Sequence, residues 1–336
     1  SPEWPRLQNA SGTVIFDRVS LTSVQNKGSV GGVPFEDGEI RIANLLRDAE
    51  LDIAATDTVQ LAQLLMFLRQ SPVADLLGPT LETVTGSGKV TTRINLRMPV
   101  ASPKDYRLAG SFRLDRARLG LKNGDFGLSE LQGTVRLDSN RLKTDELSAR
   151  FLDEPVSIQL RAARPYEPEL TQVAEIQGAT PAAKLAAAFS LPYGYRLDGK
   201  VAWNATLQVP ARNAGRPVSI QATSALEGLT SNLPTPLAKA AGARESLDLE
   251  VRFPDRGLLH VDGKIDRGIS WALQFVSGQS RAATPVVPAE ARPAAAGWHL
   301  ERGAMRSGPV QATLPAEPGL EIGGTFASLR FEDWFP

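Results

Sequence analysis

The chain has 336 residues, 37 Lys and Arg against 37 Asp and Glu, two His, no Cys, and 42% apolar residues. That length and apolar content suffice for a sizeable core and exclude overall disorder, while zero net charge offers no basic field for phosphate backbones, so nucleic acid is not an expected partner. Without Cys there are no disulfides, thiolate zinc sites or cysteine nucleophiles, and His260 and His299 alone cannot make a catalytic zinc triad, so no metal or cofactor is expected.

The first residues, Ser1-Pro2-Glu3-Trp4-Pro5-Arg6, have neither a charged n-region nor an apolar h-region and read as the start of an excised segment. Residues 1–57 read as a β-strand unit with Asp37-Gly38 as a hairpin turn. Residues 58–178 read as a helix followed by a β-meander. Leu61, Leu64, Leu65 and Leu68 recur at helical spacing from Thr58 to Gln70, behind a cap at Thr58 or Asp57, and Ser71-Pro72 ends the helix before a second short turn from Val73 to Leu77. The run Leu61 to Leu68 is the densest apolar stretch and falls far short of the ~20 residues that span a bilayer. Strict alternation then begins: Val90, Thr92, Ile94, Leu96 and Met98 share one face of a strand, and Thr91, Arg93, Asn95 and Arg97 the other.

The same one-sided pattern recurs at Leu108/Phe112/Leu114 and Val156/Ile158/Leu160. Residues 179–277 repeat the scheme: Thr180-Pro181 opens a short Ala-rich helix through Phe189, with Pro at its first position, and alternation resumes at Val201/Trp203/Leu207/Val209, Leu247/Leu249/Val251/Phe253 and Trp271/Leu273/Phe275. Asn123-Gly124, Asp198-Gly199 and Asp262-Gly263 mark further hairpin turns. Residues 278–297 are rich in Ala and Pro and read as an exposed loop, and residues 298–336 as C-terminal strands carrying Ile322 and Phe326. Gly88-Lys89-Val90 with Leu96 and Pro99 matches Gly199-Lys200-Val201 with Leu207 and Pro210, so helix-interrupted β units are laid end to end.

The expected fold is mainly β, an antiparallel sheet with a few short helices. About 15–18 strands at ~4.8 Å spacing present a face of order 1,500 Å², of which short helices ~10 Å wide cover about a third. The rest is covered by closing into a filled barrel, splitting into a sandwich, or curling into a trough that meets a ligand. Patterning alone favours ordinary core packing among these.

Motifs for chemistry are weak. Gly86-Ser87-Gly88-Lys89 lacks the preceding Gly and the following Ser or Thr of a phosphate loop, with Thr83 and Val90 in those places, and reads as a repeated hairpin turn. Asp153-Glu154 reads as a solvated turn rather than a glycosidase pair. His260 sits in the alternating run Leu259-His260-Val261, as an outward strand residue would. Leu233-Pro234-Thr235-Pro236-Leu237-Ala238-Lys239 reads as a loop or sheet-edge cap. No catalytic residue is expected, and the chain is not read as an enzyme.

Ser224-Ala225-Leu226-Glu227-Gly228-Leu229 leading into Leu233-Pro234-Thr235-Pro236-Leu237-Ala238-Lys239 resembles a segment of the YhdP family of AsmA-like proteins, and the stretch from Leu300-Glu301-Arg302-Gly303 to Trp334 is similar to the family's next segment, in the same order. Phe126-Gly127-Leu128 through Leu147-Ser148-Ala149 resembles the AsmA-type strand repeat. The resemblance implies a long curled antiparallel β-sheet, a repeat-built groove, in a Gram-negative envelope protein anchored in the inner membrane through a helix absent from this chain. It implies a periplasmic location, phospholipids as cargo carried between the membranes without catalysis, and envelope proteins as further partners. On that reading the acyl chains lie along Ile94, Leu96, Phe112, Leu114, Ile158, Leu160, Val201, Trp203, Leu207, Ile220, Leu249, Val251, Leu273 and Phe275. The competing expectation is a structural or docking β-module of the envelope with a filled core and no lipid.

Overall fold

The computed structural model describes residues 5–71, 74, 81, 84–121, 127–138, 141–164, 167, 169–189, 193–211, 214–235, 237–255, 257–277 and 298–325. Their alternating sequences form one large open sheet. Strands β1 (Leu7–Asp17), β2 (Ser20–Val30), β3 (Val33–Ile42) and β4 (Glu50–Gln60) lead into helix α1 (Leu61–Arg69). Then come β5 (Val84–Pro99), β6 (Arg107–Leu121), β7 (Gly127–Asp138), β8 (Arg141–Thr144), β9 (Leu147–Phe151), β10 (Glu154–Ala162) and β11 (Leu170–Pro181). Helix α2 (Ala182–Ala188) precedes β12 (Leu197–Pro210), β13 (Val218–Ser224), β14 (Leu229–Ser231), β15 (Leu247–Phe253), β16 (Leu258–Ile265), β17 (Ile269–Ser277), β18 (Trp298–Ser307) and β19 (Gly319–Gly324).

Successive strands pair antiparallel, as short connections dictate, with three departures. Strands β8 and β9 lie end to end along β7. Among the strands β14 ladders only with the start of β12 in the described residues, so β13 pairs onward with β15. Strand β19 runs parallel to β18. Among the described residues β1 pairs only with β2 and β19 only with β18, so the sheet stays open, as a curled groove requires and a closed barrel does not.

Three of the four Asx-Gly pairs form no turn. Asp37-Gly38, Asp198-Gly199 and Asp262-Gly263 lie inside β3, β12 and β16; Asn123-Gly124, Val73 to Leu77 (apart from the helical Ala74), the loop 278–297 and Phe326 lie outside the described residues. Tight hairpins form instead at Gly31-Gly32 and at Leu152-Asp153, where both residues take positive φ (58° and 82°; 51° and 63°). Gly86 to Lys89 is likewise strand rather than turn. Its Gly88 (φ 99°) sits in a β-bulge opposite Ala117, and the repeat-mate Gly199 (φ 98°) adopts the same backbone in β12.

Helix α1 starts later than expected because β4 keeps pairing with β5 as far as Gln60 opposite Lys89. Asp57 and Thr58 are therefore strand residues, and Gln60 caps the helix, its N–H donating to Gln63 Oε1 at 3.4 Å. Ser71 closes the other end, with Oγ donating to the Leu68 carbonyl at 3.0 Å. Leu61, Leu64 and Leu65 are buried with Val90, Leu114, Leu131 and Ile158, the main core cluster. Gly86 makes room beneath: a Cβ there would lie 2.7 Å from Leu61. Helix α2 packs Ala182 beside Val201 and Leu226 in a second cluster. Both helices lie on the apolar face and at the same ends of the strands, where β5 and β12 begin.

The opposite face is polar and laced by cross-strand ion pairs, such as Arg97 to Asp52 at 2.8 Å and Lys264 to Asp248 at 3.5 Å. The connection from β18 to β19 crosses this face: Arg302 donates to the Pro315 carbonyl at 3.0 Å, and the Ala312 N–H to Ser270 Oγ at 2.9 Å. Among the described residues the apolar face of the last strands is therefore left uncovered. The Pro-rich segment caps β14, as its loop reading anticipated. Ser231 bridges Lys239, whose Nζ donates to the Leu229 and Ala240 carbonyls at 3.0 and 3.2 Å, and burial beside Arg267 lowers its pKa.

Candidate functional site

Residues directly opposite in a ladder share a face, so register decides what the alternating side chains build together. From β10 the pairing runs Leu160, Ala174, Leu207, Ile220, Val251, Val261, Leu273, Gly303 and Leu320, one residue per strand across to β19. A parallel row runs Ile158, Ile176, Ala205, Ala222, Leu249, Gly263, Trp271, Met305 and Ile322. Neither row contains a polar side chain. At ~4.8 Å per strand this double lane is about 40 Å long.

The N-terminal half carries two shorter rows. One links Ile40, Ile53, Leu96 and Leu108, and the other Ala55, Ile94, Gly110, Leu137 and Leu142. Next to them the face turns polar: Asp57 pairs opposite Thr92, whose Oγ1 donates to the Asp57 carbonyl at 3.1 Å, and the Asp57 carboxylate accepts the Glu36 N–H at 3.2 Å. Burial raises the Asp57 pKa, against the opposing pull of that N–H. The apolar path past β4 is thus confined to the side away from α1.

All fourteen residues singled out from the sequence lie on this one face. They divide by accessibility. Leu114, Ile158 and Val201 are only 8%, 4% and 6% exposed, sealed within the buried clusters. Ile94, Leu96, Phe112, Leu160, Trp203, Leu207, Ile220, Leu249, Val251, Leu273 and Phe275 are half-buried and form the accessible floor. Toward the outer strands the face opens further, with Phe16 68% and Ile322 66% exposed.

Sequence reasoning placed Trp203 and Trp271 on this face but missed the small residues that seat them. Trp203 lies against Gly178 and donates Nε1 to Thr180 Oγ1 at 3.0 Å, and Trp271 packs against Gly263, where any Cβ would collide with the indole. Ala174, Val261 and Met305 complete the rows; extending the period-2 phase of each strand by one more position would have found them. Among the described residues no three His, Asp or Glu gather as metal ligands, and no helix is long and apolar enough to cross a membrane.

The profile of a family described as "YhdP protein" matches residues 1–336. The chain is 25% identical over 261 residues, 74% of its length, to the intermembrane phospholipid transporter YhdP of Escherichia coli (strain K12), and covers 20% of that protein. It thus spans about a fifth of this relative's length. No solved structure matches the chain. Matched by the family profile from end to end, the chain belongs to the YhdP family.

Proposed function

We propose that the chain is one stretch of a lipid conduit: phospholipid acyl chains lie along the apolar lanes while headgroups stay at the hydrated margin, and cargo passes between inner and outer membranes through the periplasm without catalysis. The observation that carries this is the pair of unbroken apolar rows from β10 to β19, left uncovered by the crossover on the other face. A core would be filled by a second layer; among the described residues the covering layer is two short helices at one end of the strands. The name of the E. coli relative supports the same cargo. Helix-led units 58–178 and 179–277 serve as two repeats of the conduit, and the parent protein carries the inner-membrane anchor.

The physical basis is simple. Each CH₂ shielded from water is worth ~0.8 kcal/mol, so a continuous apolar floor removes the main barrier to a lipid crossing an aqueous space. A phosphate buried without partners is prohibitive, which keeps headgroups at the margin. Leu207→Asp places a charge in mid-lane on a half-exposed residue. Native mass spectrometry with lipid extraction is expected to find phospholipid on the wild-type chain, prepared without detergent, and little on the variant, with unchanged circular dichroism. A folded variant that keeps its lipid, or a wild-type chain that neither carries nor takes up labelled phospholipid, would overturn the proposal in favour of a packed envelope module.

A further inference from the structure

The polar face pairs its cations as a rule. Besides the two bridges given above, Arg150 meets Glu130 at 2.8 Å, Arg161 meets Glu175 at 2.9 Å, Arg306 meets Glu321 at 3.2 Å, and Arg252 meets Asp262. In each case a cation on one strand is neutralised by a carboxylate on the next.

Strands β5 to β8 break the rule. Arg93, Arg113 and Lys143 are exposed, and among the described residues none of the three makes an ion pair or a side-chain hydrogen bond. Register brings them together. Arg113 lies opposite Thr91 and Arg93 opposite Ser111, so Arg93 and Arg113 are diagonal neighbours. Arg113 also lies opposite Thr134 and Ser111 opposite Arg136, which makes Arg113 and Arg136 diagonal in turn, and Arg136 faces Lys143 directly. Four cations thus cross four strands in single file, over three strand spacings or about 14 Å.

The nearby carboxylates are engaged elsewhere. Asp145 is held by Arg136 at 2.8 Å, Asp115 lies 3.8 Å from Arg116, and Asp138 stands opposite Arg141. Asp145 offsets one charge of the file and leaves three. Like charges set opposite or diagonal to one another cost stability, so folding does not account for the file. Hydroxyls on the same face border it: Thr58 Oγ1 is 3.2 Å from Thr91 Oγ1, and Ser111 and Thr134 lie between the cations.

We propose that this file is a docking strip for an acidic polypeptide segment, lying extended across β5 to β8 on the side of the sheet away from the lanes. Charge and dimension carry the assignment. An extended chain turns alternate side chains to one face ~6.8 Å apart, so three carboxylates at alternate positions span about 14 Å. Arg93 and Arg113 offer planar forks that each take a carboxylate through two hydrogen bonds. The strip is one residue wide, with Asp115 and Asp138 on its two sides. A planar anionic surface would meet those carboxylates, whereas a single chain passes between them. Because the lanes are on the other face, the strip stands apart from the lipid reading.

The test uses the whole chain and a rhodamine-labelled peptide of alternating Glu and Thr, with its Gln–Thr counterpart as control. Fluorescence anisotropy is expected to show saturable binding of the Glu peptide alone, weakening as salt rises, and amide NMR to show shifts at Thr91 and Thr134. Replacing Arg93 and Arg113 together by Gln should weaken binding about fivefold, as loss of two exposed ion pairs does, with an unchanged thermal midpoint and retained phospholipid. Lys264→Gln, which removes a paired cation of the same face, should leave binding unchanged. Absence of saturable binding would overturn the proposal, and so would equal weakening by Lys264→Gln, which marks general attraction rather than a strip. Vesicles of phosphatidylglycerol held more tightly than the peptide through Arg93 and Arg113 would replace the polypeptide by an anionic bilayer. Loss of phospholipid from the double variant would assign the cations to the cargo instead.

Discussion

Gly263 shows how a single hydrogen side chain can be a packing decision. The Trp271 indole occupies the space a Cβ would need, so Gly263→Ala must lift the ring off the floor or move the strand. Overpacking of this kind costs about 1–3 kcal/mol, and a matching loss is expected in urea unfolding followed by near-ultraviolet circular dichroism. Asp57 is the opposite case, a carboxylate held on an apolar face. Because burial raises its folded pKa above the ordinary 3.8, it favours folding only while protonated, an advantage lost as pH rises through the raised value. Asp57→Asn, which keeps an oxygen for the Glu36 N–H, is expected to stabilise the chain at pH 7 by up to about 1 kcal/mol. The gap should close as the pH is lowered toward 3, and thermal midpoints at both pH values check this. The sequence hid the glycine's role, since Asp-Gly has the same letters in a tight turn and beneath a tryptophan; only the neighbour from another strand distinguishes them.

At the scale of elements, the helices were legible and their edges were not. Leu61, Leu64, Leu65 and Leu68 announce an amphipathic helix, but Thr58 and Asp57, the natural caps by residue type, are held in β4 by Thr91 Oγ1 and the Glu36 N–H. Long-range pairing overrides local preference there. Helix α1 keeps its place through side chains alone: Leu61 and Leu65 over Gly86, and Phe67 over Gly31. Leu65→Ala is expected to cost about 2–4 kcal/mol. The signature should be local: hydrogen exchange accelerates in α1 and the first residues of β5, while β15 to β17 keep their protection. Uniform loss across the sheet would mean that α1 is integral to global folding rather than a fixture on it.

For the whole molecule, alternation revealed which residues share a face, and register decided how they connect. The sequence could not show that Leu160, Leu207, Val251 and Leu273 fall into one row, because a slip of two residues in any strand preserves the pattern and breaks the row. Nor could it separate Leu114, Ile158 and Val201, sealed in the core, from neighbours of identical phase left half-exposed. The helices make that distinction by covering one end of the strands and leaving the other. A sheet built this way has unlike margins, and on the proposed function cargo would have one side from which to approach.

The seating of Trp271 reaches beyond packing. Its indole lies in mid-lane, partly exposed on the face where an acyl chain would rest, in the space that Gly263 leaves open. The chain thus contains its own optical reporter. Occupancy of the lane would dry the ring and move its emission to shorter wavelength, so filling and emptying could be timed without a label in a variant whose other four tryptophans are replaced by Phe.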